Sequence, residues 1–98
     1  MNINIERENG KALMKIEGRI DTTTAPELEK AINGEGDQLK NLALDFKGVE
    51  YISSAGLRVL LTAQKKMNVQ GSMELLNVSE TVMDVFEMTG FADILVIK

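Results

Sequence analysis

The chain has 98 residues, 44% of them apolar and 27% charged, with a mean hydropathy of -0.06, the balance of one ordinary soluble globular domain with no room for a second. It has no Cys and no His, which removes disulfide scaffolds, thiolate zinc sites, thiol nucleophiles, the commonest general base and the commonest metal ligand. A net charge of -4 with scattered basic residues argues against nucleic acid and anionic membrane as partners, and the absence of a signal-like start or a long apolar window makes a cytoplasmic location the expectation.

Ile3 and Ile5 alternate with polar neighbours, the period-2 pattern of a half-buried strand. Glu8-Asn9-Gly10-Lys11 is a type I′ hairpin signal, and Ala12, Met14 and Ile16 continue the alternation on a returning strand. Around Thr24-Ala25-Pro26-Glu27 a helix start is predicted, with Thr24 and Glu27 as a capping box and Pro26 in the first turn. Ala25, Leu28 and Ile32 line one face of this helix, and Gly34 and Gly36 open a mobile loop after it.

Leu42–Phe46 is mostly apolar, consistent with a strand covered on both faces. Tyr51-Ile52 then runs through Ser53-Ser54-Ala55-Gly56 into a helix whose Leu57, Leu60, Leu61 and Met67 share one side, with Arg58, Thr62, Lys65 and Lys66 on the other. Met73–Leu76 is a further strand candidate, Ser79 caps a helix bearing Val82, Val85 and Phe86, and Gly90 is its C′ residue. Ile94–Ile97 is expected to be a last buried strand. Met14, Met67 and Met73 fall on core faces, while Met83 and Met88 are placed near the surface of the third helix. The order predicts an α/β fold over residues 1–98: a mixed, mainly parallel sheet with an N-terminal hairpin at one edge and helices packed on it.

The abrupt strand-to-helix step at Ser53-Ser54-Ala55-Gly56 is the most informative stretch. Ser54 stands where an N-cap belongs, its hydroxyl accepting from the amide of Gly56 or Leu57. The functional alternative to that cap is a modifiable serine at a helix N-terminus, on the end of the sheet where α/β folds place their sites. A catalytic elbow is set aside in favour of these readings, because no glycine precedes the serine and no histidine exists to serve as base, which leaves only lysine-assisted chemistry for a hydrolase. Asp21 reads either as a turn carboxylate bonding the amides of Thr23 or Thr24 or as part of a binding surface. Asp45 is read as a strand residue without a catalytic role.

Three collinear segments carry a resemblance. Leu44-Asp45-Phe46 with Gly48 through Leu57, Gly18-Arg19-Ile20-Asp21 leading to Leu28, and Phe86 through Phe91 together resemble the STAS domain of the anti-sigma factor antagonist family. That resemblance implies a non-enzymatic partner switch. The unphosphorylated form would bind an anti-sigma factor that is also a serine kinase of the histidine-kinase-like ATPase fold, freeing a sigma factor. Phosphorylation would end the binding, and a serine phosphatase would restore it. The family's Asp-Ser-x-Gly register selects Ser54 as phosphoacceptor, with Ser53, which occupies the Asp position, as the second candidate. Asp21, Thr22, Ser53, Ser54, Gly56 and Arg58 are the partner-binding positions so implied, and no catalytic residue, cofactor or metal is expected. The same family includes subunits that bind the ATPase of an ABC lipid transporter and scaffolds of signalling assemblies. Members often continue past the last strand into another helix, whereas this sequence stops at Lys98.

Overall fold

Strand β1 (Asn2–Glu8) returns as β2 (Lys11–Ile20) in the computed structural model, which describes residues 1–98. The turn residues Asn9 and Gly10 both have positive φ, 42° and 80°, as a type I′ turn requires. Helix α1 (Ala25–Asn33), strand β3 (Asn41–Ile52), helix α2 (Ser54–Gln70), strand β4 (Ser72–Leu76) and helix α3 (Glu80–Thr89) follow in the predicted order. The sheet order is β1-β2-β3-β4, with β1 antiparallel to β2 and the other pairs parallel.

The chain steps the same way across the sheet at each crossover, from β2 to β3 to β4, and right-handed connections then deliver their helices to one face. That face carries Met14, Leu44 and Leu75, which are opposite one another in register and fully buried. The Phe46 and Phe86 rings meet here at 6.4 Å between centroids. The other face carries Lys15, Ala43, Asp45 and Glu74, all half-buried or exposed. Leu42–Phe46 is therefore covered on one face rather than both, because the strand steps never reverse direction.

Two further expectations are corrected. Ile94–Ile97 does not form a strand: Phe91–Asp93 is a 3-10 turn, and the segment after it makes a single parallel bridge, Ile97 with Leu75. The amides of Ile94 and Leu95 donate to Phe91 O at 3.0 and 2.9 Å, so they are already engaged in the turn and cannot join a ladder. The connection after α1, read as mobile, is tied down. Arg7 donates Nε and Nη2 to the Glu35 carboxylate, each at 2.8 Å, and Gln70 Nε2 donates to Leu39 O at 2.7 Å. Met14, Met67 and Met73 are core residues as expected, whereas Met83 is half-buried and Met88 is 87% exposed. No helix is long and apolar enough to cross a membrane.

Candidate functional site

The carboxyl ends of β2 and β3 lie side by side, so the residues that leave them are brought together. Ile20 pairs with Ile52 as the last register partners, and the Ser53 amide donates to Ile20 O at 2.8 Å. Asp21 and Ser53, 32 positions apart in sequence, thus start the two helix-bearing connections from adjacent points. Gly56 sets how close α2 comes to the sheet. A Cβ there would lie 2.7 Å from Ile20 Cγ2 and from Ile52 Cγ1, closer than carbon atoms approach, so only glycine lets the first turn of α2 rest on these two strands.

Asp21 is held by its own turn. Its Oδ1 accepts from Thr23 Oγ1 at 2.8 Å and from the amides of Thr23 and Thr24 at 3.0 and 3.1 Å. These bonds, the Thr23 hydroxyl first and the Thr24 amide next, favour the charged form and hold the carboxyl below its ordinary pKa. Thr24 does not build the predicted capping box. Its Oγ1 accepts from the Asp21 amide and donates to Arg19 O, both at 2.8 Å, while the Glu27 amide bonds the Thr24 carbonyl. The hydroxyl is diverted because Thr24 already has helical φ and ψ, and Asp21 supplies the acceptor instead. Thr22 is exposed between them.

At α2 the assignment of the cap moves by one residue. Ser53, extended at φ -95° and ψ 176°, is the N-cap, and Ser54 is the first helical residue. Neither hydroxyl caps the helix. Ser53 Oγ is buried with no hydrogen-bond partner, whereas Ser54 is exposed. The first turn of a helix has amides without intrahelical acceptors, and here no side chain and no acidic residue of the first turn answers them. The positive end of a 17-residue helix is thus left open beside an exposed hydroxyl. Arg58, also exposed, stands one turn further on, the spacing that puts it on the face of Ser54. The six positions picked out from sequence therefore gather at this end: Asp21, Thr22, Ser53, Ser54 and Arg58 around the two connections, with Gly56 as their packing foundation.

Two neighbours escaped the sequence reading. Arg19 and Tyr51 face each other across β2 and β3, the guanidinium carbon 4.3 Å from the ring centroid. The contact depends on a register shift between Gly18 and Arg19, where the strand glycine is the local mark of an irregularity but does not reveal which side chains it brings together. Asp45 lies on the bare face, where its Oδ1 accepts from the Lys47 amide at 3.0 Å and Asn77 Nδ2 at 3.1 Å. The same two bonds, the Lys47 amide leading, lower its pKa, which suits a carboxylate that fastens the turn after β4. The grooves of the surface are lined by other residues than Asp21, Ser53 and Ser54. Arg19 and Arg58 are both exposed.

The STAS domain family matches residues 2–98. The anti-sigma-B factor antagonist of Bacillus subtilis is 32% identical over 96 residues, covering 97% of this chain and 88% of that protein. Among solved structures, an anti-sigma factor antagonist from Mycobacterium paratuberculosis superposes with a TM-score of 0.87 at 25% identity, over 98% of this chain and 83% of that one. The Bacillus cell fate determinant SpoIIAA in its phosphorylated form shares the fold, with a TM-score of 0.77 at 18% identity over 99% and 91% of the two chains.

Proposed function

The chain belongs to the STAS domain family, and from that premise we propose that it is an anti-sigma factor antagonist working as a partner switch in the cytoplasm. Its unphosphorylated form binds an anti-sigma factor serine kinase of the histidine-kinase-like ATPase fold through the Asp21–Ser54 end of the sheet, releasing a sigma factor. Phosphorylation of Ser54 ends the binding, and a serine phosphatase resets it. The observation that carries this reading is the exposed Ser54 hydroxyl on the first residue of an uncapped helix. The buried Ser53 Oγ supports Ser54 over its neighbour as phosphoacceptor. The relatives' names support the anti-sigma factor as partner.

The physics of such a switch is local. A phosphate on Ser54 brings about -1.5 to -2 charges to a helix N-terminus, where open amides and the dipole favour an anion. The fold is not disturbed, so the change is delivered to the partner. A surface that has closed on a neutral hydroxyl then meets a bulky dianion and pays for its desolvation.

Affinity capture from the native cytoplasm with wild type and Ser54→Asp side by side, followed by calorimetric titration of the retained protein, tests this. The expected result is a histidine-kinase-like ATPase that binds wild type, phosphorylates Ser54 and loses affinity for Ser54→Asp. Equal binding to both variants, or retention of a transporter ATPase by both, overturns the switch.

A further inference from the structure

The irregularity that ends β2 and β3 builds a second feature at the sheet end from which the Ser53–Ser54 step departs. Gly18 pairs with Val49, but Arg19 pairs with Tyr51, so Glu50 is left without a partner across the ladder. Gly18 takes φ +109°, a conformation that side chains disfavour, and the bulge twists the two strand ends together. The outcome is a clean separation. Ile20 and Ile52 turn into the core, while Arg19 and Tyr51 emerge together, the guanidinium stacked on the ring.

Arg19 is exposed and unpaired. The ion pairs of the protein join Arg7, Lys15 and Lys98 to carboxylates, and no side-chain hydrogen bond engages the Arg19 guanidinium, whose stacking on Tyr51 leaves its N–H edge free. Arg58 is unpaired as well, and the nearby Asp21 carboxylate is occupied by Thr23 and Thr24. In a chain of net charge -4, Arg19 thus offers an unpaired guanidinium at the carboxyl end of β2.

We propose that the Arg19–Tyr51 stack is a preformed anchor for a carboxylate side chain presented by the protein partner. This deepens the preceding reading and rests on it: the carboxylate belongs to the anti-sigma factor. A planar guanidinium takes a carboxylate through two parallel hydrogen bonds. Stacking restrains the arginine before the partner arrives, which lowers the entropy lost on docking. Arg and Tyr are also the residue types that most often carry the energy of protein interfaces.

Titration of the anti-sigma factor retained in the capture experiment with wild type, Arg19→Gln, Arg19→Lys and Arg19→Glu is the test, with thermal unfolding of each variant as the control for folding. Affinity is expected to fall about tenfold for Gln and Lys and about 100-fold or more for Glu, with unchanged unfolding midpoints. Replacing one surface carboxylate of the anti-sigma factor by Arg is expected to restore binding to Arg19→Glu, a rescue that a merely structural arginine would not show. Undiminished binding by folded Arg19→Glu, or the absence of any rescuing reversal across the partner's surface carboxylates, overturns the anchor alone. A wild type that binds no anti-sigma factor overturns the preceding reading and the anchor with it.

Discussion

The main-chain N–H of Ser53 donates to the carbonyl of Ile20 at 2.8 Å, and this one bond joins the two halves of the site. It extends the β2–β3 ladder by one residue and brings the start of α2 beside the turn built by Asp21. The serine side chain contributes nothing to the join, since its Oγ has no partner.

That contrast separates two serines that look alike in sequence. Ser53 and Ser79 both precede helices, but only Ser79 caps, its Oγ accepting from the Val82 amide at 3.2 Å. Ser79→Ala is expected to destabilise the protein by about 1 kcal/mol, the ordinary worth of a serine cap. Ser53→Ala is expected to leave stability unchanged or to raise it, because it removes a buried hydroxyl that makes no bond. Urea denaturation of the two variants decides the matter, and equal losses would show that Ser53 caps after all.

Charge at Ser54 is expected to leave the fold intact. An aspartate there meets the positive end of α2, an interaction worth about 0.3 to 1 kcal/mol, so Ser54→Asp unfolds at an equal or higher urea midpoint than Ser54→Ala. A lower midpoint would mean that a loss of binding by Ser54→Asp reports unfolding rather than an altered interface.

Gly56→Ala is expected to destabilise by about 1 to 3 kcal/mol, the range for overpacking a tight contact. The added methyl collides with the Ile20 and Ile52 side chains at once, both buried in the core, where repacking is costly. Wild-type stability in this variant, measured by chemical denaturation, would contradict the close approach of α2 to the sheet.

Acid sensitivity follows from Asp21 and Asp45, whose carboxyl groups are both held below the ordinary range by hydrogen bonds to the charged form. In the unfolded chain these groups bind protons first as pH falls, so the unfolded state gains protons where the native state does not. Their contribution is therefore complete above the ordinary carboxylate pKa and is lost as pH drops through the lowered native value. Asp21→Asn is expected to flatten the acid limb of the stability curve measured between about pH 5 and 2, with little change in its slope near neutrality.

Much of this protein is legible in one dimension. Period-2 apolar runs, the Asn9-Gly10 turn, the helical spacing of Leu57, Leu60 and Met67 and the stop at Gly90 are local signals, and each produced the element it announced. The composition, without Cys or His, excludes disulfides, thiolate metal sites and histidine bases. The positions of the candidate site came from the family resemblance, whereas the cap chemistry expected at Thr24 and Ser54 is not the one the structure uses.

What only the tertiary structure decided lies between distant segments. The direction of the strand steps left one sheet face bare. The bonds of the Phe91–Asp93 turn used the amides that a last strand would have needed. Packing of α2 on Ile20 and Ile52 fixed Ser53 as the boundary residue, burying one hydroxyl and presenting the next. A register shift between Gly18 and Arg19 set a guanidinium over a tyrosine 32 residues away in sequence. Register and burial arise from contacts summed over the whole core, so they have no local signature from which to be read.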